Sequence, residues 1–354
     1  MTAARLRTDL IAAADRAGDA RELFARASVG LRRFVPFDAA VWAATDPETG
    51  LITAPMVVEN LGASERCAEY WESELLEENV VPFRELARAA VPAAGLRAVT
   101  GDLPARSARY RRMLSAQGVD DELRAVLRVG DRPWAVVSLF RMGAGEPFGP
   151  EETAAVASLS GPLAERLRRF ARPSASGVGT DSPAPGLVLF DAFGEATSIN
   201  EEARHHLATL PEGPSTASAL GLRLPIWVVA TAMQARAIAG GRDRGGARIR
   251  IRTVAGQWLV CHASCLSGPE GRPGPVAFVI ERAAAADTGA MAAEAYGLTP
   301  RELEITRLIA RGRPTAEIAA ALFISPHTVR DHLKAVFDKT EVSSRGELVA
   351  RLFT

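Results

Sequence analysis

The sequence predicts an α+β multidomain fold, in which two mixed α/β domains precede an all-α C-terminal domain. Two observations support this fold class. Short segments with the apolar–polar alternation of β-strands lie before residue 283, whereas the chain from Leu298 onward shows apolar residues at helical spacing. A stretch over 172–185 is rich in Pro, Ser and Gly and divides the strand-containing region in two, as a flexible linker does.

The composition is that of a soluble protein. The chain has 354 residues, 47% of them apolar and 24% charged, and its formal net charge is zero, so the whole molecule has no charge excess that would attract a polyanion. There is no run of eighteen apolar residues, and the N-terminus lacks the apolar run of a signal peptide. We therefore expect a cytoplasmic protein without a membrane segment. Three cysteines predict no disulfide framework, and Cys261 and Cys265 are expected as small core residues rather than as a redox pair.

The first domain is predicted over residues 1–171. It begins with an amphipathic helix from residue 3 to about 34, which Gly18 and Gly30 interrupt and end. Strands at 40–44 and 51–58 flank a strong turn signal and predict a hairpin. The further elements, in chain order, are helices at 64–90 and 105–117, strands at 121–129 and 134–141, and a closing helix at 148–170.

The second domain is predicted over residues 186–282, and a helical connector follows it at 283–296. Asn200 is placed to cap the first helix of this domain. The predicted elements, in chain order, are strands at 186–190 and 195–199, helices at 200–207 and 225–239, and strands at 247–254, 257–265 and 275–281. Arg248, Arg250 and Arg252 alternate with apolar neighbours, which predicts a sheet with one face in solvent.

The C-terminal domain is predicted over residues 297–354. Thr299 and Glu302 form a capping box around Pro300, which opens a helix that ends near Gly312. A short second helix begins at Thr315. Ser325 can cap a third helix, and a closing helix follows. Three short helices with a tight turn before the last of them predict a helix-turn-helix.

The third helix has two distinct faces when it is projected at about 100° per residue. Its predicted core residues are Val329, Leu333, Val336 and Phe337. The opposite arc of roughly 100° holds His327, Arg330, Asp331 and Lys334. The major groove accepts one α-helix, so this arc predicts contacts to base edges. Arg330 could make a forked contact to guanine, and Asp331 could accept from cytosine or orient Arg330. The alternative is that these residues form an ordinary solvated charged face. The helix caps, the tight turn and the polar arc occur together in this segment, which favours contacts to DNA.

The segment 298–354 resembles the LuxR-type (NarL/FixJ) DNA-binding domain. The matching positions are the Leu-Thr-x-Arg-Glu opening, Gly312, Glu317-Ile318-Ala319, Leu322, Ile324-Ser325, Thr328-Val329, His332-Leu333 and Val342-Ser343-Ser344-Arg345. The resemblance implies a four-helix domain whose third helix enters the major groove and whose fourth helix often mediates dimerisation. It also implies that Arg330, Asp331 and Lys334 face bases. The expected contacts to the DNA backbone are Thr315, Ser325, Thr328 and Arg345.

Two positions depart from that family's pattern. Ala316 stands where the family often has a basic residue close to phosphate, and Glu341 stands where it commonly has glycine. If Glu341 keeps a left-handed conformation, we expect backbone strain of about 1 kcal/mol. Both departures predict a weaker grip on phosphate and looser local packing.

The two N-terminal domains resemble sensor families. The order helix, hairpin, helices, hairpin, helix and the closing Phe148-Gly149-Pro150 segment resemble a GAF-type domain over roughly 5–170. Two strands, helices and a three-stranded meander resemble a PAS-type domain over about 183–282. The fold class is therefore GAF-like and PAS-like α/β sensor domains followed by an all-α LuxR-type domain.

The first domain could enclose a small molecule. The candidate lining residues are Trp42, Met56, Tyr70, Trp71, Phe83 and Tyr110. Each is alternatively a plain core residue. No Cys/His set has zinc spacing, no glycine-rich phosphate loop follows a strand, and no serine lies in a nucleophile elbow. We therefore predict no metal, no cofactor and no enzymatic activity.

The leading hypothesis is a transcription regulator whose GAF-like and PAS-like sensors control a domain that binds double-stranded DNA. From Gly297 to Thr354 there are nine Lys and Arg against seven Asp and Glu, so one copy is expected to bind poorly and a homodimer to form on DNA. The alternative is a cofactor-carrying redox or light receptor, or an enzyme-like sensor, with an appended DNA-binding domain. A third possibility is that the sensors only bind partner proteins or dimerise.

Overall fold

The computed structural model describes residues 3–61, 66–143, 145–173, 184–268 and 271–353. They form two compact units. The described residues of the sheet unit fall within Met1–Leu167 and Val178–Arg282, and those of the helical unit fall within Arg168–Gly177 and Ala283–Thr354. The predicted α+β class, with a sheet-rich N-terminal region and a helical C-terminal region, is confirmed. Most of the linker predicted at 172–185 lies outside the described residues.

The first part of the sheet unit is a five-stranded antiparallel sheet with helices around it. Its elements are α1 (Ala3–Asp15), α2 (Ala20–Leu31), β1 (Ala39–Thr45), β2 (Ile52–Glu59), α3 (Arg66–Leu76), α4 (Phe83–Leu86), β3 (Ala93–Gly95), α5 (Leu96–Thr100), β4 (Val119–Val129), β5 (Arg132–Met142) and α6 (Pro150–Leu167). The strand order of this first sheet is β2-β1-β5-β4-β3. Asp19 caps α2 by accepting from the Glu22 amide at 2.7 Å, close to the break predicted at Gly18.

Two predicted helices of this region are shorter than expected. The helix predicted at 64–90 ends at Leu76, and the chain is helical again only in the single turn of α4, for which Pro82 is the N-cap. Pro82 disfavours a helical conformation at Val81, so it separates α4 from the preceding chain. The helix predicted at 105–117 consists of short 3₁₀ and π turns. There the Ser107 hydroxyl accepts from the Tyr110 amide at 3.3 Å, a local bond that competes with α-helix geometry.

The second part of the sheet unit holds another five-stranded antiparallel sheet. Its elements are β6 (Gly186–Phe190), β7 (Ala196–Ile199), α7 (Glu201–Ala208), β8 (Ser215–Ala217), β9 (Arg223–Pro225), α8 (Ile226–Ala239), β10 (Arg248–Arg252), β11 (Trp258–Ser267) and β12 (Pro273–Arg282). The order of this second sheet is β10-β11-β12-β6-β7. The predicted Asn200 cap is confirmed, since its side chain accepts from the Ala203 amide at 3.0 Å. A Cβ at Gly186 would lie 2.6 Å from the Ala203 Cα, so α7 requires glycine there.

One prediction about the second sheet is wrong. Arg250 was expected on a solvent-exposed face, but only 3% of it is exposed. Its guanidinium donates to both carboxylate oxygens of Asp46, from Nη2 at 2.5 Å and from Nε at 2.8 Å. The Thr53 hydroxyl also donates to the Arg250 carbonyl at 2.9 Å. The β1–β2 hairpin therefore covers β10, and the two sheets belong to one packed body.

The helical unit is a small bundle around its own core. Its elements are α9 (Ala285–Ala295), α10 (Pro300–Ala310), α11 (Thr315–Leu322), α12 (Pro326–Thr340) and α13 (Arg345–Phe353). Residues from all five helices form one apolar cluster, which includes Ala293, Ile305, Ile318, Val329 and Leu348, all with no exposed surface. The guanidinium of Arg172 also lies 4.8 Å from the centre of the Tyr296 ring, just after α9.

Candidate nucleic-acid interface

The first helix of the helix-turn-helix is fixed by the predicted capping box. The Thr299 hydroxyl accepts from the Glu302 amide at 3.2 Å, and Glu302 Oε2 accepts from the Thr299 amide at 2.7 Å. The same carboxylate oxygen accepts from Lys339 Nζ at 2.6 Å, near the end of α12. Burial raises the pKa of Glu302, but the hydrogen bonds from Lys339 and Thr299 outweigh it and hold the pKa below its ordinary value. The capping box thus also ties α10 to α12.

The turn between α11 and α12 has an unusual backbone. Phe323 ends α11 with φ of 54° and ψ of 42°, the left-handed region that bulky residues rarely adopt, and its side chain is 95% exposed. Two residues later, Ser325 accepts from the Thr328 amide at 3.0 Å. The Ser325 cap that the sequence predicts is therefore confirmed, and it fixes where α12 begins.

The two faces of α12 differ in burial as the projection predicts. Val329 and Val336 are fully buried and Leu333 is 6% exposed, whereas Phe337 is half-buried against the same core. The four residues of the opposite arc are His327, Arg330, Asp331 and Lys334, of which the side chains of His327 and Asp331 are 80% and 66% exposed. The apolar face of α12 packs into the core of the helical unit, and the polar arc therefore points toward solvent.

The polar arc has internal contacts that the sequence did not specify. His327 Nδ1 lies 2.8 Å from Asp331 Oδ2, one helical turn away, so the carboxylate of Asp331 accepts from His327. Arg330 donates from Nε to the Pro326 carbonyl at 3.2 Å. The structure does not support the suggestion that Asp331 orients Arg330, because Asp331 pairs with His327 instead. Lys334 has no polar partner among the residues that the structure describes.

An open groove of about 600 Å³ runs beside α12. It brings together four of the predicted DNA-contacting residues, namely Thr315, Arg330, Lys334 and Arg345. Arg345 donates from Nη2 to the Thr315 hydroxyl at 2.6 Å, which joins the start of α13 to the start of α11. The other four, Ser325, His327, Thr328 and Asp331, lie around the N-terminal end of α12 outside this groove.

The groove also contains residues that sequence reasoning did not select as site residues. Asp338, Ser343 and Ser344 line it beside the beginning of α13. Ser344 accepts from the Glu347 amide at 3.2 Å, and the Ser343 amide donates to Glu347 at 2.8 Å. That hydrogen bond from the Ser343 amide lowers the pKa of Glu347. The spacing of Ser344 and Glu347 is the sequence signal that could have found this cap.

Glu341 keeps the left-handed conformation on which the predicted strain depended. Its φ is 56° and its ψ is 45°, and its amide donates to the Phe337 carbonyl. The residue is exposed. Gly312 has φ of 74° at the predicted end of α10, where a glycine adopts this region without strain.

The six candidate ligand-lining residues do not form one pocket. Met56, Tyr70 and Trp71 border a void of about 30 Å³, the space that one water molecule occupies in the liquid. Trp42 lies on the other face of the first sheet, where its ring centre is 5.9 Å from that of Phe24. Phe83 packs against Trp71 at 6.2 Å, and Tyr110 is half-buried at the edge of the core.

A buried ionic network lies beside this void, and no local sequence pattern indicates it. Arg109 donates to Glu122 at 3.0 Å, and Arg124 donates to Glu74 at 2.5 Å. The Tyr70 hydroxyl lies 3.1 Å from Glu122 Oε1, and burial raises the pKa of Tyr70. Two cations and two carboxylates thus neutralise one another inside the first sheet's core.

Other kinds of site receive no support from the described residues. Among them, no three His, Cys, Asp or Glu side chains lie close enough to hold a metal ion. Burial raises the pKa of the Cys261 thiol to about 12, so it stays protonated and unreactive at neutral pH, in line with a core role. No helix in the described ranges is both long and apolar enough to cross a membrane.

Comparison with known proteins places the similarity in the helical unit. Residues 297–352 match the family described as bacterial regulatory proteins, luxR family. The spore germination protein GerE of Bacillus subtilis is 42% identical over 55 residues, which are 16% of this chain and 74% of GerE. The transcriptional regulatory protein DesR of Bacillus subtilis is 43% identical over 58 residues, 16% of this chain and 29% of DesR. A putative HTH-type transcriptional regulator of Mycobacterium bovis is 44% identical over 52 residues, 15% of this chain. This chain covers only 6% of that regulator's length.

Solved structures give a weaker likeness over the rest of the chain. Escherichia coli SdiA is 13% identical with a TM-score of 0.37, and the match covers 98% of this chain and 96% of SdiA. The VqsR LBD domain from Pseudomonas aeruginosa is 17% identical with a TM-score of 0.32, covering 47% of this chain and 96% of that domain. Neither score is high enough to carry an argument about the sheet unit, so the GAF and PAS resemblances remain predictions. With 74% of GerE covered at 42% identity, and with the luxR family matched over residues 297–352, this chain belongs to the luxR family of bacterial regulatory proteins.

Proposed function

We propose that the protein regulates transcription by binding double-stranded DNA through α12. The observation that carries this proposal is the outward arc of His327, Arg330, Asp331 and Lys334 on a helix that is capped at Ser325 and anchored by its apolar face. Side chains near the N-terminus of such a helix contact base edges in the major groove. Arg330 has its terminal guanidinium nitrogens available for a forked contact to guanine, since it donates to the Pro326 carbonyl through Nε.

The groove beside α12 supplies the backbone contacts. Lys334 and Arg345 place two cations along it, and the serines that precede α13 put the N-terminus of that helix at its edge. Cations and helix N-termini are the groups that hold phosphate oxygens and set the register of a protein on the duplex. Thr315, Ser325 and Thr328 add hydroxyl groups near the same surface.

We propose that the DNA-bound form is a homodimer. Nine basic against seven acidic residues over 297–354 give the DNA-binding domain a small positive charge, so a single copy would make few phosphate contacts. Two copies would double those contacts and place two recognition helices on half-sites about one helical turn apart. DNA as the partner also fits the cytoplasmic location that the sequence predicts.

The sheet unit is proposed to sense a signal and to control this binding. The GAF-like domain at 1–171 and the PAS-like domain at 186–282 would precede the connector at 283–296 and the DNA-binding domain at 297–354. Support comes from two antiparallel five-stranded sheets with flanking helices, joined by the Asp46–Arg250 ion pair. A signal that changes the pairing of two chains would change the affinity for DNA by mass action.

Selection from a random duplex library by the full-length protein tests this proposal. The wild type should enrich one sequence motif, ideally a repeat with half-sites about ten base pairs apart. Arg330→Ala should lose preference at one base position in each half-site, whereas Arg307→Ala, an exposed arginine on α10, should retain the full motif. Enrichment of no motif by the wild type, or of the same motif by Arg330→Ala, would contradict the proposed docking.

A further inference from the structure

The sheet unit contains a cleft of about 770 Å³. One wall is the β1–β2 turn with α3, α4 and the inner face of the first sheet, and the other wall is α8 with the loop that follows it. Its volume falls in the range of clefts that enclose drug-sized ligands, roughly 300–1,000 Å³. The void of about 30 Å³ inside the first sheet's core is far too small for such a ligand. Sequence reasoning missed the cleft because its two walls are far apart in the chain.

The deep surface of the cleft is apolar. Trp71 and Phe83 are 4% and 7% exposed, and their rings pack together at a tilt of 32°. Leu51, Val126 and Val136 continue this surface across the hairpin and the first sheet. Such a surface favours a ring or a short alkyl chain, because covering it removes apolar area from water.

The carboxylates that line the cleft are mostly neutralised by neighbours. Glu74 accepts from Arg124 at 2.5 Å, from Asn79 at 2.6 Å and from the Phe83 amide at 2.8 Å. Glu48 lies 3.1 Å from both Arg248 and Arg250. Asp243 accepts from the Gly245 amide at 2.7 Å and pairs with Arg84 at 3.3 Å. Asp131 is the one remaining acid among the described lining residues.

The lining arginines are not neutralised to the same extent. Arg88, Arg242 and Arg244 line the cleft with exposed side chains, and none of the three has a carboxylate partner among the residues that the structure describes. Three unpaired guanidinium groups against one unpaired carboxylate make the cleft positive. An anion that enters it would meet cations without first displacing an acidic partner.

The walls of the cleft are held in place by hydrogen bonds between protein groups. The Thr49 hydroxyl donates to the Arg248 carbonyl at 2.9 Å, which fixes the hairpin turn on β10. On the opposite side, Arg84 donates to the Arg242 carbonyl at 3.2 Å, which joins α4 to the loop after α8. A preformed cleft binds a small molecule without the entropy cost of ordering its walls.

We infer that this cleft binds a small amphipathic organic anion, with its apolar body against Trp71 and Phe83 and its carboxylate, sulfonate or phosphate group at Arg88, Arg242 and Arg244. A bound molecule would touch the first sheet on one side and α8 with its following loop on the other, and so bridge the two halves of the sheet unit. The role of such a ligand as a regulatory signal rests on the function proposed above, whereas its binding does not.

Titration of the full-length protein with 8-anilinonaphthalene-1-sulfonate tests the inference, with N-phenyl-1-naphthylamine as its neutral counterpart. The anion should bind saturably at one site per chain. The triple variant Arg88→Ala/Arg242→Ala/Arg244→Ala should weaken the anion by about tenfold or more and leave the neutral probe unchanged. The matched control Arg5→Ala/Arg7→Ala/Arg16→Ala removes three exposed arginines of the α1 region and should change neither affinity.

A second variant tests the apolar surface. Ala87→Trp adds a large ring at a half-buried position of the cleft wall and should reduce binding of both probes, whereas Ala12→Trp on exposed α1 should not. Circular dichroism checks that each variant is folded. No saturable binding of the sulfonate, or an affinity that neither the arginine triple nor Ala87→Trp alters, overturns the inference. The DNA-binding variant Arg330→Ala should bind both probes normally, so a failure of the cleft and a failure of the DNA-binding proposal give different results.

Discussion

Lys339 Nζ lies 2.6 Å from Glu302 Oε2 and so joins the last turn of α12 to the first turn of α10. The side chain of Glu302 is only 7% exposed, and that of Lys339 is 34% exposed. Because the same oxygen accepts from the Thr299 amide, the ion pair and the helix cap share one acceptor. The position of α12 therefore depends on a charged contact at the end of the helix opposite to the Ser325 cap.

Lys339→Met should loosen the helical unit. It leaves a nearly buried carboxylate without its cation, and we expect a loss of about 1–3 kcal/mol of local stability. Hydrogen exchange of the α10 and α12 amides in the full-length protein would measure this loss. Lys334→Met removes an exposed lysine from the same helix and should leave exchange unchanged. Equal protection in both variants would show that the pair does not stabilise the helices.

The Lys339–Glu302 pair also predicts how the stability of the helical unit changes with pH. The pKa of Glu302 is lowered in the folded state, so its contribution is fully present above the ordinary glutamate pKa and is lost as the pH falls through the lowered value. The difference in exchange protection between the wild type and Lys339→Met should therefore be full at neutral pH and shrink in acid below about pH 4. A difference that grows on acidification would have the wrong sign.

Arg345→Ala should weaken DNA binding without changing sequence preference. Arg345 sits beside Thr315 in the groove, and a phosphate contact carries no base information. We expect a similar loss for every duplex and a salt-dependence slope smaller by about one per binding site. Binding titrations at several salt concentrations, on the selected duplex and on a scrambled one, measure both quantities. A loss confined to the selected duplex would instead assign Arg345 to base reading.

Asp46→Ala should destabilise the sheet unit. The two side chains of the Asp46–Arg250 pair are 1% and 2% exposed, so the variant removes the buried carboxylate and leaves the buried guanidinium facing Glu48, whose side chain lies 3.1 Å away and is 53% exposed. We expect a loss of about 3–5 kcal/mol in the free energy of unfolding of this unit. Glu48→Ala removes the second carboxylate near Arg250. Because the Glu48 side chain is 53% exposed, the loss in the free energy of unfolding should be less than about 1 kcal/mol. Denaturant titration followed by tryptophan fluorescence compares the two variants.

Glu341→Gly should stabilise the helical unit. Glu341 is exposed and has φ of 56°, a left-handed conformation in which its Cβ is crowded by the backbone. Glycine has no Cβ, so the substitution should relieve strain of about 1 kcal/mol. Ala320→Gly, at an exposed position of α11 with helical geometry, should destabilise by a similar amount. Exchange protection of α12 and α13 in the full-length protein reports both effects. A loss of protection in Glu341→Gly would mean that the left-handed glutamate is not strained.

Features that depend on neighbouring residues were accessible from the sequence. The caps at Asn200, Thr299 and Ser325 were predicted because a side chain that bonds an amide two or three residues ahead leaves a local pattern. The two faces of α12 followed from helical spacing. The left-handed Glu341 was anticipated from the glycine that the resembled family has at that turn.

Features that depend on distant residues were not accessible. Arg250 alternates with apolar neighbours as a solvent-facing residue would, and only its partner Asp46, far away in the chain, makes it a buried one. The ionic network around Glu122 and the cleft between the first sheet and α8 also depend on residues that are far apart in the chain. Short strands such as β3 and β8 were also missed, because three residues carry no measurable alternation. The aromatic residue Trp42 on β1 could not be assigned to one face of the first sheet or the other without the strand register.

The most direct test of base reading by α12 replaces guanines of the selected duplex one at a time by 7-deazaguanine, which lacks the N7 acceptor. Full-length wild type should lose affinity, by about 1–3 kcal/mol, at the guanine that Arg330 contacts. Arg330→Ala should bind the normal duplex more weakly by a similar amount and lose nothing further at that position. If wild type and Arg330→Ala respond equally to every replacement, Arg330 does not read guanine and the proposed docking of α12 is wrong.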